Sequence, residues 1–347
     1  MTTSFEAAND AFLAELRSHG AVVSDVIAVA DYTAEHAGRG IVANADIAPE
    51  TELFSLPLSA CLSATTSRAA AWIPDHPELA ENGWAPVITA VLYELAFRES
   101  SQWNAYFDIL PASLETPLFW PESDLALLVG TDVPKRIARE ESLSLYTNVI
   151  LPAIEHHVAD PADRARFSPD LFLYAGSLLM AYGFSVGSLT GTGHDSDDDD
   201  EEEDDMPILV PLADTLNAVH PNSAHLQRSG DTVAMVATAA VAAGTQVFNT
   251  YGDHACNELL RRYGYVEWEK RFDAVTVDAE AVVRIARAAI VGAGGWGEGM
   301  SETKVDAGIE KRVCTPLILH VFNTDKLKRI DRSTTWPTST CTTTSTK

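Results

Sequence analysis

The sequence predicts an α+β fold, with short strands grouped towards both ends of the folded part and helices between them. Strand-like runs lie near residues 40–56 and return from about residue 208 onwards. Between these two groups, apolar residues recur at helical spacing. Because the strands and helices are grouped and do not alternate, a parallel doubly wound sheet is not expected.

The first elements are a helix followed by two strands. We expect a helix within residues 1–24, a strand at residues 40–43 and a second strand at residues 53–56, which ends at Pro57. The turn at residues 48–50 contains a proline and lies between the two strands. This order predicts a hairpin-like entry into the fold.

A helical insertion is expected at about residues 66–182. One of its helices is indicated by an apolar face at i, i+3, i+4 spacing, formed by Val87, Ile88, Val91, Leu92 and Leu95. Another is predicted to begin after Ser168, a good N-cap that is followed by Pro169. The predicted face of that helix consists of Phe172, Ala175, Leu178, Leu179 and Tyr182.

The strand signal returns in the last third of the fold. Short β-prone runs occupy residues 208–210, 233–237 and 246–249, and Gly244 lies in the turn between the last two. A brief helix is then indicated by Leu259, Leu260 and Tyr263.

The charge of the chain is strongly acidic. Lys plus Arg number 24 and Asp plus Glu number 50 among 347 residues, so the net charge is 24 − 50 = −26. This charge disfavours direct binding of nucleic acid, whose phosphates would be repelled, and favours a basic protein partner. Ten of the acids fall in residues 195–205, so residues 187–206 are expected to form a disordered acidic loop. That loop is either a solvated segment without a role or an electrostatic attraction site for a basic substrate or an import partner.

The ends of the chain and its cysteines place further bounds on function. The start has neither a basic nor an apolar region of a signal peptide, and apolar runs are too short to span a bilayer. Cys61, Cys256, Cys314 and Cys341 form no C-x-x-C pair, which fits a reducing intracellular compartment. Residues 332–347 contain eleven Ser or Thr and are of low complexity.

Three stretches carry candidate functional residues. Ala37-Gly38-Arg39-Gly40-Ile41 is either an ordinary glycine-rich turn or a place where backbone approaches a ligand. In P-L-A-D-T-L-N at 211–217, Asp214 is either a local cap or a semi-buried polar group, and Asn217 is a candidate for holding a polar ligand. The tyrosines of F-N-T-Y-G at 248–252 and N-E-L-L-R-R-Y-G-Y-V-E at 257–267 are in themselves common at a core edge.

In combination and in this order, the motifs resemble the SET-domain protein-lysine methyltransferases over about residues 25–268. The stretch L-L-M-A-Y-G-F at 178–184, the acidic loop after it and the P-L-A-D motif are similar to the ribosomal lysine methyltransferase 4-like subgroup of the Rubisco methyltransferase-related branch. The resemblance implies a SET fold of short sheets with an inserted helical region. It also implies that residues 269–347 form an incomplete, truncated C-terminal helical lobe for substrate binding.

The resemblance further implies S-adenosyl-L-methionine as methyl donor, a lysine side chain as acceptor and no metal. Tyr251 matches the tyrosine treated as catalytic in the family. The residues implied to hold the donor are Gly38, Arg39, Gly40, Tyr182, Asn217, Ala218 and Tyr263. Those implied near the substrate are Trp103, Gly183, Tyr251 and Tyr265. An apolar aromatic channel would keep the attacking amine neutral, and alignment of the two reactants can supply about 7–11 kcal/mol.

Two departures from the family keep alternatives open. Ala218 stands where the family has a histidine after the asparagine, and the region after residue 272 is short and interrupted by glycine. The favoured hypothesis is an active methyltransferase acting on a ribosomal protein or another basic protein, in the nucleus or cytoplasm and without membrane contact. The alternatives are a catalytically weak SET-fold binding module for basic proteins, and an acidic chaperone-like partner that acts through residues 195–205.

Overall fold

Small antiparallel sheets and a helical region make up the part of the chain that the computed structural model describes, residues 4–185, 206–267 and 274. The acidic loop predicted at 187–206, apart from Met206, lies outside these residues. So does the lobe predicted at 269–347, apart from Ala274. This mixture confirms the predicted α+β class.

The chain divides into two units. The first comprises Met1–Asp253 and Asn257–Val266, and the second comprises His254–Cys256 and Glu267–Lys347. Of the second unit, the described residues are 254–256, 267 and 274.

The strands of the first unit form three sheets within the described residues, and their pairings are antiparallel. The strands are β1 Val22–Val23, β2 Ile27–Tyr32, β3 Gly38–Ala43, β4 Glu52–Pro57, β5 Gly183–Ser185, β6 Pro207–Leu209, β7 Ala224–Ser229, β8 Thr232–Ala237 and β9 Gln246–Val247. One sheet has the order β1-β4-β8-β7, another β2-β3-β9, and the third consists of β5 and β6.

The predicted hairpin between the first two strands is wrong. β3 pairs with β2 and β9, whereas β4 pairs with β1 and β8 in a different sheet. The connection changes sheets, because Ile47 in it forms a bridge with Val241 instead of turning the chain back. Each of the two strands therefore has one partner from the last third of the fold, which a local turn signal cannot indicate.

The helices of the first unit lie mostly in the region predicted as a helical insertion. Their bounds are α1 Phe5–Ser18, α2 Pro77–Ala80, α3 Ala85–Ala96, α4 Asn104–Ile109, α5 Glu122–Leu125, α6 Val133–Arg136, α7 Arg139–Leu145, α8 Leu151–His157, α9 Pro161–Arg164, α10 Pro169–Tyr182 and α11 Cys256–Tyr263, whose first residue belongs to the second unit. A π-helical turn at Tyr146–Ile150 joins α7 to α8. None of the described helices is long and apolar enough to cross a membrane.

The helix α10 carries the chain from the core to the functional region. Ser168 caps it as predicted, because its Oγ accepts a hydrogen bond of 3.1 Å from the backbone N–H of Leu171. The apolar face packs in the core with α3, and Phe172, Leu178 and Leu179 are at most 2% exposed. Burial of this face stabilises the helix and fixes the position of Tyr182 at its end.

Candidate active site

A cavity of about 250 Å³ lies where the predicted motifs meet. Three segments and two tyrosines form its wall. The lining residues are Ala37, Gly38, Arg39, Ile109, Leu110, Pro111, Tyr182, Asp214, Thr215, Asn217 and Tyr251. Its size is close to the lower end of small-molecule sites, about 300 Å³. Residues separated by more than 200 positions therefore contribute to one pocket.

Glycine is required at the start of β3 for two different reasons. Gly38 has a φ of 63°, in the left-handed region, and its backbone lines the cavity. At Gly40, a Cβ would overlap Nε2 of Gln246 and lie 2.7 Å from the ring of Tyr32. Gly40 does not line the cavity, so its contribution is close packing behind the wall.

The side chain of Arg39 holds this wall in place through contacts with two helices. Its Nε donates to Oδ1 of Asn9 at 3.0 Å, and its Nη1 donates to the carbonyl oxygen of Ile109 at 2.7 Å. The guanidinium also lies 4.8 Å from the centre of the Phe5 ring. Arg39 thus joins α1, the end of α4 and β3, and it is itself one of the residues that line the cavity.

Asn217 connects two further parts of the wall. Its Nδ2 donates to the carbonyl oxygen of Arg39 at 3.1 Å. Its own carbonyl accepts from the backbone N–H of Asn249 at 2.9 Å, and Val219 N–H donates back to the Asn249 carbonyl at 3.0 Å. Ala218 takes part through its backbone, in a parallel bridge with Asn249. These bonds hold residues 217–219 beside the segment that leads to Tyr251.

Tyr251 lies at the centre of a cluster of tyrosines. Its ring is stacked on that of Tyr263, with centroids 4.4 Å apart and planes inclined by 11°. The ring of Tyr265 lies edge-on to that of Tyr251, with ring centroids 6.3 Å apart. Burial raises the pKa of Tyr251 well above its usual range and raises the pKa of Tyr182 to about 12. Both cavity phenols therefore keep their protons at neutral pH and act as polar but uncharged groups.

Asp214 is the carboxyl group that lines the cavity. The hydroxyl of Tyr106, itself 1% exposed, donates to its Oδ2. Burial raises the pKa of Asp214 to about 7, although the hydrogen bond from Tyr106 opposes that shift. An acid in a pocket with its pKa raised towards neutral pH is a candidate for binding a cation or for accepting a proton.

Asp214 and Tyr106 are the functional candidates that the sequence analysis missed or left undecided. The sequence allows Asp214 to be either a local cap or a semi-buried polar group. The structure places it on the cavity wall. The signal for Tyr106 was present in S-Q-W-N-A-Y-F at 101–107, but the prediction fell on Trp103. Because both residues are aromatic and buried, their spacing alone does not tell which one donates to Asp214.

Trp103 and Gly183, predicted near the substrate, do not line this cavity. The indole of Trp103 is 2% exposed, and its Nε1 donates to the carbonyl oxygen of Ala60 at 2.8 Å. A Cβ on Gly183 would overlap the carbonyl oxygen of Leu179 and lie 3.0 Å from Cβ of Pro207. Gly183 thus has a packing role where α10 meets β6, and Trp103 has one beside Ala60; their contact with a substrate stays a prediction.

Solved structures show what class of fold this is. The SET domain of LSMT bound to lysine and AdoHcy superposes with a TM-score of 0.62 at 23% sequence identity. The match covers 79% of this chain and 60% of that one. The chain therefore has the SET fold, as the motifs predicted.

Sequence relatives narrow the class. Ribosomal lysine N-methyltransferase 4 of Saccharomyces cerevisiae is 31% identical over 75% of this chain and 56% of its own length. N-lysine methyltransferase SETD6 of Mus musculus is 34% identical over 67% of this chain and 48% of its own length. No protein-family model matches the chain. The chain belongs to the SET-domain lysine methyltransferases, and it spans about half the length of these curated relatives.

Proposed function

We propose that this chain is an S-adenosyl-L-methionine-dependent protein-lysine N-methyltransferase that acts on a ribosomal protein or another basic protein. The observation that carries the proposal is the single cavity shared by Gly38, Arg39, Tyr182, Asn217 and Tyr251. These residues come from motifs that the resemblance assigns to one site. The names of the two relatives, both lysine methyltransferases, support the same activity.

The residues present fit such a donor. Gly38 lines the cavity without a side chain to fill the space, and no atom of a non-neighbouring residue lies within 4 Å of the position that a Cβ would take there. The side-chain amide of Asn217 is held in place by the Arg39 carbonyl. When bound, S-adenosylmethionine supplies a methyl group on a positively charged sulfur. Uncharged phenols and backbone carbonyls suit such a cation better than fixed positive side chains do.

Tyr251 is proposed to direct its phenol oxygen towards the transferred methyl group. Its stacking on Tyr263 fixes the plane of the ring, and its raised pKa keeps the hydroxyl protonated, so the oxygen acts through its lone pairs. A hydroxyl held in this way needs no reorganisation when the charge moves during transfer. Tyr251 is therefore assigned placement and electrostatic work and is not assigned the role of a base.

Asp214 is proposed to receive the lysine ammonium. As a carboxylate, it attracts the cation into a pocket whose other polar side chains are two uncharged phenols, a hydroxyl, an amide and the Arg39 guanidinium, which is bonded to Asn9 and to the Ile109 carbonyl. The amine must lose one proton before its lone pair can attack. Because its pKa is about 7, Asp214 can accept that proton near neutral pH.

The choice of a basic protein as substrate depends on charge. The chain carries a net charge of −26, so a lysine-rich partner is attracted over a long range and nucleic acid is repelled. The name of the yeast relative favours a ribosomal protein. Action in the nucleus or cytoplasm, without membrane contact, is part of the same proposal.

Ala218 favours a second candidate, a SET-fold binding module that is catalytically weak. The structure gives Ala218 a backbone bridge to Asn249, which an alanine forms as well as a histidine. If a histidine side chain at this position were needed for the donor, the chain would retain the fold but bind the donor weakly. Calorimetric titration with S-adenosylmethionine separates the two, since saturable binding supports the enzyme and its absence supports the module.

The direct test is labelling of basic proteins with a radioactive methyl donor. The purified chain is incubated with labelled S-adenosylmethionine and, in separate reactions, with ribosomal proteins and with histones. We expect label in lysine residues of at least one ribosomal protein, identified by mass spectrometry. Donor binding without label in any basic protein would favour the binding module, and label confined to histones would remove the ribosomal substrate.

Replacing Asn217 with alanine is expected to weaken binding of the donor about fivefold, because the hydrogen bond of about 1 kcal/mol that holds this part of the wall to the Arg39 carbonyl is lost. Calorimetry measures the change. Asn222→Ala is the matched control, since Asn222 Nδ2 donates to the carbonyl of Ala224 at 2.8 Å away from the cavity lining. Equal donor affinities in the two variants would contradict the role given to Asn217.

A further inference from the structure

Three histidines of the helical insertion bring their ring nitrogens together outside the cavity. His76 follows the short helix Ile73–Asp75, and His156 and His157 are the last two residues of α8. One ligand atom from each ring lies within 4.8 Å of the others. None of the three lines the cavity of the proposed methyltransferase site.

The closest contact in this cluster has an unusual chemical requirement. Nε2 of His76 lies 2.9 Å from Nε2 of His157. Two bare nitrogen lone pairs, or two N–H groups, would repel each other at that distance, so either a proton or a cation has to lie between them. Nδ1 of His76 is 2.7 Å from Oε1 of Glu78, which favours a proton on Nδ1 and a lone pair on Nε2.

A carboxylate behind a histidine is the usual support of a metal ligand. It fixes the tautomer, orients the ring and makes the other nitrogen a stronger donor to the metal. The His76 side chain is only 11% exposed, so Glu78 acts on a ring that has little freedom to turn away. The His76–Glu78 pair therefore supplies a prepared ligand.

The surroundings of the other two rings also favour a cation. His157 is stacked on Trp72, with centroids 4.6 Å apart and planes inclined by 17°, which sets its orientation. His156 and His157 lie at the C-terminal end of α8, where the unpaired carbonyl groups give the helix a partial negative charge.

We propose that His76, His156 and His157 bind one divalent transition metal ion of the Zn²⁺ type. In tetrahedral coordination, ligand nitrogens at 2.0–2.1 Å from zinc are separated by about 3.3 Å. The His76–His157 pair then opens by a few tenths of an ångström, while the exposed His156 ring moves inward. Imidazole nitrogen selects Zn²⁺, Cu²⁺ or Ni²⁺ over Mg²⁺ or Ca²⁺. The ion ties the end of α8 to the segment before α2.

Metal titration of the full-length chain without an affinity tag, after treatment with a chelator, tests the proposal. We expect saturable binding of one Zn²⁺ at this site by calorimetry, a higher melting temperature with Zn²⁺ than with Mg²⁺, and visible absorption of the Co²⁺ form typical of tetrahedral nitrogen ligands. Glu78→Gln should weaken the affinity about 10–100-fold. Absence of these signals from the unmodified protein overturns the proposal.

Two ligand variants and one control separate this site from other metal-binding groups. His156→Gln removes an exposed ring and leaves the packed rings in place, and His157→Gln removes the ring stacked on Trp72. Each should lose one equivalent of bound Zn²⁺, or bind it at least tenfold more weakly, whereas the exposed His36→Asn should keep it. Unchanged Zn²⁺ binding in His156→Gln, with a native circular dichroism spectrum, overturns the proposal.

Discussion

Tyr251→Phe is expected to lower the rate of methyl transfer by about 10²–10³-fold, the usual effect of removing one prearranged polar group at a reacting centre. The substitution removes only the phenol oxygen. Because the ring remains, its stacking on Tyr263 at 4.4 Å should persist and hold the surrounding segment in place. Turnover measured at saturating donor and substrate therefore reports the contribution of the oxygen itself.

Donor affinity and melting temperature show whether Tyr251→Phe affects only the chemical step or also binding and folding. Donor affinity by calorimetry should change by no more than a few-fold, and the melting temperature should stay near that of the unmodified protein. Tyr146→Phe is the matched control, since its hydroxyl is also buried and donates to the Phe167 carbonyl, outside the cavity. It should leave turnover unchanged. Turnover of Tyr251→Phe close to that of the control would remove Tyr251 from the mechanism.

Most of the wall of the candidate site could be predicted from the sequence because ordered motifs define it. Gly38, Asn217 and Tyr251 are far apart in the chain, and periodicity alone gives no reason to place them together. The order of the motifs supplied that information through the resemblance, and the structure brings the three residues around one cavity. Their roles in catalysis and donor binding stay predictions that the variants test.

Local signals predicted single elements better than their partners. Ser168 before Pro169 predicted the start of α10, because capping depends on neighbouring residues only. The hairpin prediction was wrong because β3 and β4 each pair with strands from the last third of the fold, β9 and β8. In the same way, His76 is 80 residues from His156, and no periodicity in the sequence links them.

Asp214 shows where the sequence is least informative, because its chemistry depends on burial and on a partner 108 positions away. The hydrogen bond from Tyr106 and the loss of water around the carboxyl group are tertiary effects. The same side chain in an exposed turn would be an ordinary acid with a pKa near 3.8. A carboxyl group buried at a cost in free energy on a cavity wall is therefore a candidate for a functional role.

Asp214→Asn is expected to raise stability and lower activity in the same molecule. The pKa of Asp214 rises from 3.8 in the unfolded chain to about 7 in the folded chain. The folded state therefore holds a proton that the unfolded state releases between about pH 4 and pH 7, so this group makes stability fall as pH rises through that window. Above pH 7 the cost is on the order of 4 kcal/mol. The uncharged asparagine should recover much of it at pH 8 and little at pH 4.

Urea unfolding at pH 4, 6 and 8 measures this change, and Asp132→Asn is a control of opposite sign. Burial raises the pKa of Asp132, but the hydrogen bond from Asn257 and the charge of Arg136 outweigh it and leave the pKa below the usual value. Asp132→Asn should therefore destabilise the protein at neutral pH. A stability gain of Asp214→Asn that is the same at all three pH values would contradict the raised pKa.

The catalytic half of the prediction concerns the same proton. If Asp214 accepts the lysine proton, kcat/KM should rise with pH through about 7 as the carboxyl group ionises, and Asp214→Asn should lose that rise together with about 10²–10⁴-fold in rate. A merely structural carboxyl group would leave the pH profile in place. Stability that increases while the ionisation near pH 7 disappears from kcat/KM would mark Asp214 as a group kept at a cost to folding for the sake of the reaction. Retention of that ionisation in Asp214→Asn would assign it to another group and leave Asp214 without the acid–base role.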